Sequence, residues 1–228
     1  SWTAADIATD ADGAFDVHVA DMDGDGDLDI VSASIYDGTI AWYENNCDGN
    51  DPLIFDLNGN GIELLDFNAG VHFDVDVDGT LETTGWVGPN DGLLVFDLDK
   101  SGQIEDMSEV FSEHFNGLNF STSLEALASL DSNHDQLIDT TDQQFSNIQI
   151  WIDANSDGIT DDGELSTLAE QGISSIDLNA QTTNQTMAGN HVDATGSYQT
   201  TNGNNGTFVQ ATFSEQGASP TFTLAGEI

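Results

Sequence analysis

Residues 51–64 read DPLIFDLNGNGIEL, and how this stretch divides decides the fold. Leu53, Ile54 and Phe55 suit a short buried strand, whereas Asp56, Asn58 and Asn60, interleaved with Gly59 and Gly61, suit a tight oxygen-rich loop. The same joint recurs at VHFDV (71–75) and LLVFDL (93–98), where an apolar run again leads into acidic residues. Downstream, DMSEVFSEHF (106–115), TSLEALASL (122–130), residues 140–147 and residues 164–170 read as helices. The second opens on a capping box from Thr122 to Glu125. IQIWID (148–153) reads as a strand, and 191–213 as a C-terminal β-hairpin turning at its Asn-Gly cluster. The expected class is α+β, with EF-hand-like calcium loops between short strands and helices.

Charge narrows the function. The 228 residues carry 42 Asp and Glu against one basic residue, Lys100, for a net charge of −41. Such a chain repels nucleic acid and anionic membranes and cannot neutralise itself with salt bridges. Yet 38% of its residues are hydrophobic, too many for a disordered acidic tail. The positive charge must come from solution, which makes folding conditional on divalent cations. A single cysteine, Cys47, rules out an intrachain disulfide. No run approaches the ~20 apolar residues of a membrane span. The absence of a signal-peptide pattern and of an initiator Met suggests a piece of a longer, extracellular or cell-surface chain, expected to be monomeric.

Six stretches match a calcium loop, which needs oxygen ligands at alternating positions, a bend near position 6 and a closing carboxylate. In 153–164, Asp153, Asn155 and Asp157 fill positions 1, 3 and 5, Ile159 offers its carbonyl at 7, and Glu164 closes at 12. In 131–142 the equivalents are Asp131, Asn133, Asp135, Leu137 and Asp142, with Gln136 where glycine is usual. The loop from Asp97 adds Asp99, Ser101 and Gln103, and its Glu109 falls one position late, a spacing that a bulge absorbs. Asp74, Asp76, Asp78, the Thr80 carbonyl and Glu82 form a shorter version. Asp21, Asp23, Asp25, the Asp27 carbonyl and Asp29 form another. The loop from Asp56, with Asn58, Asn60 and the Ile62 carbonyl, is poorest in charge and needs help from Glu63, Asp66 or a neighbouring loop. Six ions would add about +12 and leave the chain strongly acidic.

The order of these motifs resembles the self-processing module of FrpC-like RTX proteins of Gram-negative bacteria. It is carried by DPLIFDLNGNGIEL, GVHFDVDVDGTLETTGWVGPNDGLLVFDLDKSG, SLEALASLDSNHDQLID and IWIDANSDGITDDGELSTLAEQGI, over roughly 51–215. Separately, residues 1–46 resemble one blade of an FG-GAP (VCBS) propeller repeat through DMDGDGDLD and IAWYEN. The resemblances imply three parts: a blade fragment at 1–46, a linker at 47–51, and a calcium-dependent module at 52–228. They also imply calcium-triggered cleavage of the Asp51–Pro52 bond, with transfer of Asp51 to a lysine amine. Lys100 lies inside a predicted loop, so the acceptor is expected on another protein.

The chemistry suits the pair. The Asp51 carboxylate can attack its own main-chain carbonyl and close a five-membered anhydride, a geometry with effective molarities of about 10⁵ M or more. Proline's nitrogen is a comparatively basic leaving group, and it needs a proton, for which a buried carboxyl of raised pKa and His72 are the candidates. His18, His114, His134 and His191 carry no motif. Read without the resemblance, Asp-Pro is an ordinary loop-to-strand junction. The competing function is a non-reactive, calcium-rigidified spacer or adhesion module. A carbohydrate-binding role would use Trp2, Trp42, Trp86 and Trp151, which are scattered and read as core.

Overall fold

The computed structural model describes residues 14–20, 29–34, 36, 40–46, 51–214 and 221–227. Asp21, Asp23, Asp25, Asp27, Cys47 and Trp2 lie outside the described residues, and Asp29 and Trp42 are described in backbone alone. The chain divides into two compact units, Ser1–Asp48 with Gly217–Ile228, and Gly49–Gln216.

The first unit begins with β1 (Ala14–Ala20), β2 (Asp29–Ser34) and β3 (Ile40–Asn46), an antiparallel meander. The second holds β4 (Leu53–Phe55), β5 (Leu64–Leu65), β6 (Val71–Phe73), β7 (Glu82–Thr84), β8 (Trp86–Val87) and β9 (Gly92–Val95). It continues with β10 (Leu137–Asp139), β11 (Gln149–Trp151), β12 (Leu165–Thr167) and β13 (Ile173–Asp177). Three longer strands end it: β14 (Gln181–Met187), β15 (Asn190–Thr200) and β16 (Asn205–Thr212). The last strand, β17 (Thr221–Glu227), belongs to the first unit and pairs antiparallel with β3.

Nine strands of the second unit form one antiparallel sheet in the order β10-β13-β15-β16-β4-β9-β11-β12, with β14 on β15. Strand side chains alternate between faces, and here both faces are buried. Ile54, Leu93, Val95, Trp151 and Val209 enter one core with Phe73 and Trp86. Leu53, Phe55, Leu94, Ile150 and Phe208 enter a second core with Phe111, Phe115 and Leu127. Burial on both sides explains why the central strands read as unbroken apolar runs.

The α+β expectation is overturned: the second unit is mainly β. Among the described residues the one α-helix is α1 (Ser123–Ala128), six residues long, whose cap Thr122 accepts a hydrogen bond from Glu125 N–H at 3.1 Å. The helix expected at 106–115 is replaced by 3₁₀ turns at Met107–Glu109 and Phe115–Gly117. The reason is in the burial. Adjacent residues Val110 and Phe111 enter opposite cores, which neighbours on a helix cannot do, so Val110 is extended and bridges Val95. Residues 140–147 supply only a 3₁₀ turn at Phe145–Asn147. The 164–170 segment is captured by sheet pairing, Leu165–Thr167 lying against β11 as β12. The acidic loops therefore join strands and short turns, without the paired helices of an EF-hand.

Candidate functional site

The register of β4 and β16 sets the position of Asp51. Leu53 pairs with Gln210, and the Ala211 N–H donates to the Pro52 carbonyl at 3.2 Å, extending the ladder to the Asp-Pro bond. Asp51 shares the strand face of Leu53, so its side chain enters the second core, beside α1 and the Phe111–Phe115 segment. Only 4% of Asp51 is exposed. Its Oδ2 accepts from Ser123 N–H at 2.9 Å and from Gln210 Nε2 at 2.8 Å, and its Oδ1 accepts from Glu113 N–H at 3.2 Å. Burial pushes this carboxyl up to about 7, opposed by the Ser123 and Glu113 N–H groups and abetted by the negative charge of Asp193. The carboxyl is thus desolvated and held by three donors.

None of those partners is visible from the sequence near the bond. Gln210 reads as one residue of a hairpin, Ser123 as the start of a helix and Glu113 as one residue of another. The signal that could have found Gln210 is a polar side chain inside the short apolar run Phe208–Ala211 of β16, on the same parity as Phe208. His72, the suggested proton donor, is exposed on β6 and its Nδ1 lies 3.2 Å from Thr83 Oγ1. The titratable pair on the segment that holds Asp51 is Glu113 and His114, 3.7 Å apart.

Five acidic loops are described, and four show one hydrogen-bond pattern. The first carboxylate accepts the N–H groups of positions 5 and 6. Asp74 takes Asp78 and Gly79 at 3.1 and 3.0 Å. Asp97 takes Ser101 and Gly102, both at 3.0 Å. Asp153 takes Asp157 and Gly158 at 3.2 and 2.8 Å. Asp131 takes Asp135 and Gln136 at 3.3 and 2.9 Å. Gln136 adopts φ 68°, the left-handed backbone that glycine supplies elsewhere at this position. At Gly158 glycine is required twice over: φ is +74°, and a Cβ would lie 2.6 Å from the His72 carbonyl.

The closing carboxylate returns to the N–H groups of positions 2 and 9. Glu164 takes Ala154 and Asp161 at 2.9 and 3.0 Å. Asp142 takes Ser132 and Asp139 at 2.8 and 2.9 Å. Glu109 takes Leu98 and Glu105 at 2.8 and 3.2 Å, so its late position is absorbed by the turn at Met107. The shorter loop makes half of this pattern, Glu82 taking Val75 at 3.2 Å. Ligand atoms of Asp74, Asp76 and Asp78, and those of Asp97, Asp99 and Glu109, each lie within 4.8 Å of one another. Burial pushes Glu109 up to about 7, and a hydrogen bond with Glu105 adds to it. These are groups that can hold a metal ion, and their all-oxygen donors fit a hard cation such as Ca²⁺.

The Asp56 loop differs. Asp56 accepts from Gly59 and Gly61 at 2.8 and 3.0 Å. Neither suggested helper closes it: Asp66 caps the following turn through Asn68 N–H at 2.8 Å, and Glu63 Oε2 accepts from Asn90 Nδ2 at 3.3 Å. The carboxylate that reaches this loop is Asp91, which accepts the Glu63 N–H at 2.6 Å.

Two tryptophans tie the last loop to the core. Trp86 Nε1 donates to Asp153 Oδ2 at 2.8 Å and Trp151 Nε1 to Glu164 Oε2 at 3.3 Å, joining both ends of the loop to fully buried rings. Adding Ca²⁺ is therefore expected to change tryptophan emission, and Asp153→Asn to remove most of that change. An unaltered response in the variant would show that emission reports another event.

The chain belongs to the SPM domain family, whose model matches residues 53–214. It is also similar to "Iron-regulated protein FrpA" of Neisseria meningitidis serogroup C, with 41% identity over 159 residues. That alignment covers 67% of this chain and 14% of the relative's length. These matches support the FrpC-like family that the order of motifs resembles. Residues 1–46 lie outside the family match, and their likeness to a propeller blade stays a resemblance. Among the described residues no helix is long and apolar enough to cross a membrane.

Proposed function

We propose that the module breaks its own Asp51–Pro52 peptide bond once calcium has folded it. One observation carries this reading: the carboxyl beside that bond is buried, held by Ser123, Glu113 and Gln210, and raised to about 7. A carboxyl so raised is more nucleophilic than an ordinary one when ionised, and an appreciable fraction is ionised at neutral pH.

An Asp51 carboxylate oxygen attacks the carbon of the same residue's main-chain carbonyl. The new C–O bond closes a five-membered anhydride, the C–N bond to Pro52 breaks, and the proline nitrogen leaves as an amine with a proton taken from water. Water then opens the anhydride to two carboxyl groups. A lysine ε-amine opens it instead to an amide and a carboxylate, releasing one proton. Asp56, Asp74, Asp97, Asp131 and Asp153, with their closing partners, would hold the calcium, whose contribution is to neutralise the acidic loops and fix the fold. Ala211 and Gln210 grip the chain on either side of the bond meanwhile. The acceptor lysine is assigned to another protein, and the setting to a secreted or cell-surface chain in calcium-rich fluid.

The test is intact mass of the calcium-free protein before and after adding millimolar Ca²⁺, with Asp51→Ala alongside. The expected result is a split between residues 51 and 52, reduced at least 1,000-fold in the variant. Unchanged mass in a protein that binds calcium and folds would overturn the proposal in favour of a calcium-rigidified spacer.

A further inference from the structure

An anhydride made from Asp51 has two carbonyls, Cγ of the side chain and C of the main chain, and an amine can open either. Given the cleavage proposed above, we infer that Gln210 Nε2 and the Ser123 N–H form an oxyanion hole that directs opening to Cγ. The acceptor lysine is then joined to the side chain of Asp51, and the main chain ends in a free carboxylate. The asymmetry is present in the uncleaved chain. Among the described residues, Oδ2 accepts from two donors, Ser123 N–H at 2.9 Å and Gln210 Nε2 at 2.8 Å, whereas Oδ1 accepts from Glu113 N–H alone, at 3.2 Å. Hydrogen bonds stabilise the charge on the oxygen that accepts them, so the more lightly held Oδ1 is the better nucleophile.

Attack by Oδ1 on the main-chain carbon leaves Oδ2 as the carbonyl oxygen on Cγ, facing the same two donors. When an amine nitrogen then adds to Cγ, the carbonyl electron pair moves onto Oδ2. Negative charge develops where two N–H groups already point, within the about 2.7–3.1 Å that an oxyanion hole requires. The Cγ–Oδ1 bond breaks, Oδ1 departs as part of the main-chain carboxylate, and the nitrogen gives a proton to water. Both donors are fixed before the reaction. That of Ser123 is backbone, and Gln210 is buried in β16, paired with Leu53 on one side and Ala194 on the other. The main-chain carbonyl lacks such support: among the described residues no backbone N–H donates to the Asp51 main-chain oxygen. Losing one donor of an oxyanion hole slows acyl transfer about 10²–10³-fold, enough to decide which carbonyl opens.

The experiment treats the full chain with millimolar Ca²⁺ and Nα-acetyl-lysine amide as the amine. A Glu-specific protease cutting after Glu44 releases the peptide Asn45–Asp51 with its new linkage. Chromatography against synthetic standards then gives the ratio of side-chain-linked to main-chain-linked product. The expected ratio is at least tenfold in favour of the side chain, falling at least tenfold in Gln210→Leu. Both products branch from one anhydride, so a variant that merely cleaves slowly leaves the ratio where it was. A product linked mainly through the main chain would overturn the inference while leaving cleavage standing, and so would a ratio unmoved in Gln210→Leu. Should the variant fail to fold, or amine be captured poorly, wild-type hydrolysis in water labelled with heavy oxygen decides. Label on the side-chain carboxyl supports opening at Cγ, and label on the main-chain carboxyl overturns it. No cleavage at all in folded, calcium-loaded protein would instead remove the proposed function, and the oxyanion hole with it.

Discussion

Chelating divalent cations is expected to unfold residues 51–214, abolishing the near-ultraviolet circular dichroism of Trp86 and Trp151. Eight carboxyl groups are buried among the described residues: Asp51, Asp56, Asp74, Asp91, Glu109, Asp131, Asp142 and Asp153. Each ionised carboxylate costs several kcal/mol to desolvate, and the chain supplies one lysine to offset them. A site held at 100 times its Kd contributes about 2.7 kcal/mol. Two to four such sites match the whole stability of an ordinary domain, about 5–15 kcal/mol. Chelation should therefore cause cooperative loss of packing, reversed by millimolar Ca²⁺. Near-ultraviolet spectra unchanged by chelator would mean that the apo fold carries its buried acids unaided, and the calcium trigger would lose its physical basis.

The second large effect is in pH. With ionised Asp51 as the nucleophile, cleavage in saturating Ca²⁺ should quicken about tenfold per pH unit on the acid side and level off above about 7, the value to which burial raises this group. The linkage has a definite sign. A carboxyl raised in the folded state favours folding fully below its ordinary value of 3.8, and that contribution is lost as pH rises through about 7. At pH 8 the intact fold therefore carries a load on the order of 4 kcal/mol that it lacks at pH 4. Cleavage discharges part of it. Initial rates from intact mass between pH 5 and 8.5 give the profile. A rate with no acid limb, or one centred near 4, would remove the buried Asp51 carboxylate as attacking group.

The parts legible in the sequence were those set by local chemistry. The Asp-Gly-Asn loops announce themselves because position 1 must accept N–H groups four and five residues on, a relation contained in the loop. Strands at Leu53–Phe55, Gly92–Val95 and Gln149–Trp151 were legible from their apolar runs. Helices were misread where a short local pattern met a demand from the sheet. Val110 and Phe111 must serve two cores, and Leu165–Thr167 must pair with β11. The partners of Asp51 lie 62, 72 and 159 residues away, so no window of sequence contains them. Asp91 was hidden likewise, since only the β4–β9 register brings it to Asp56.

The return of β17 changes what a cut at residue 51 produces. Scission would fall between β3 and β4, yet Thr221–Glu227, which follows the module in the chain, is hydrogen-bonded along β3. The covalent chain would end while the complex persisted, because the downstream product would still be zipped to the upstream one by a complete strand. Bond breaking and separation are then two events with two clocks, the first set by anhydride chemistry and the second by the peeling of one edge strand. During that interval the activated Asp51 end would stay tethered to the body that made it, leaving time for an amine to arrive.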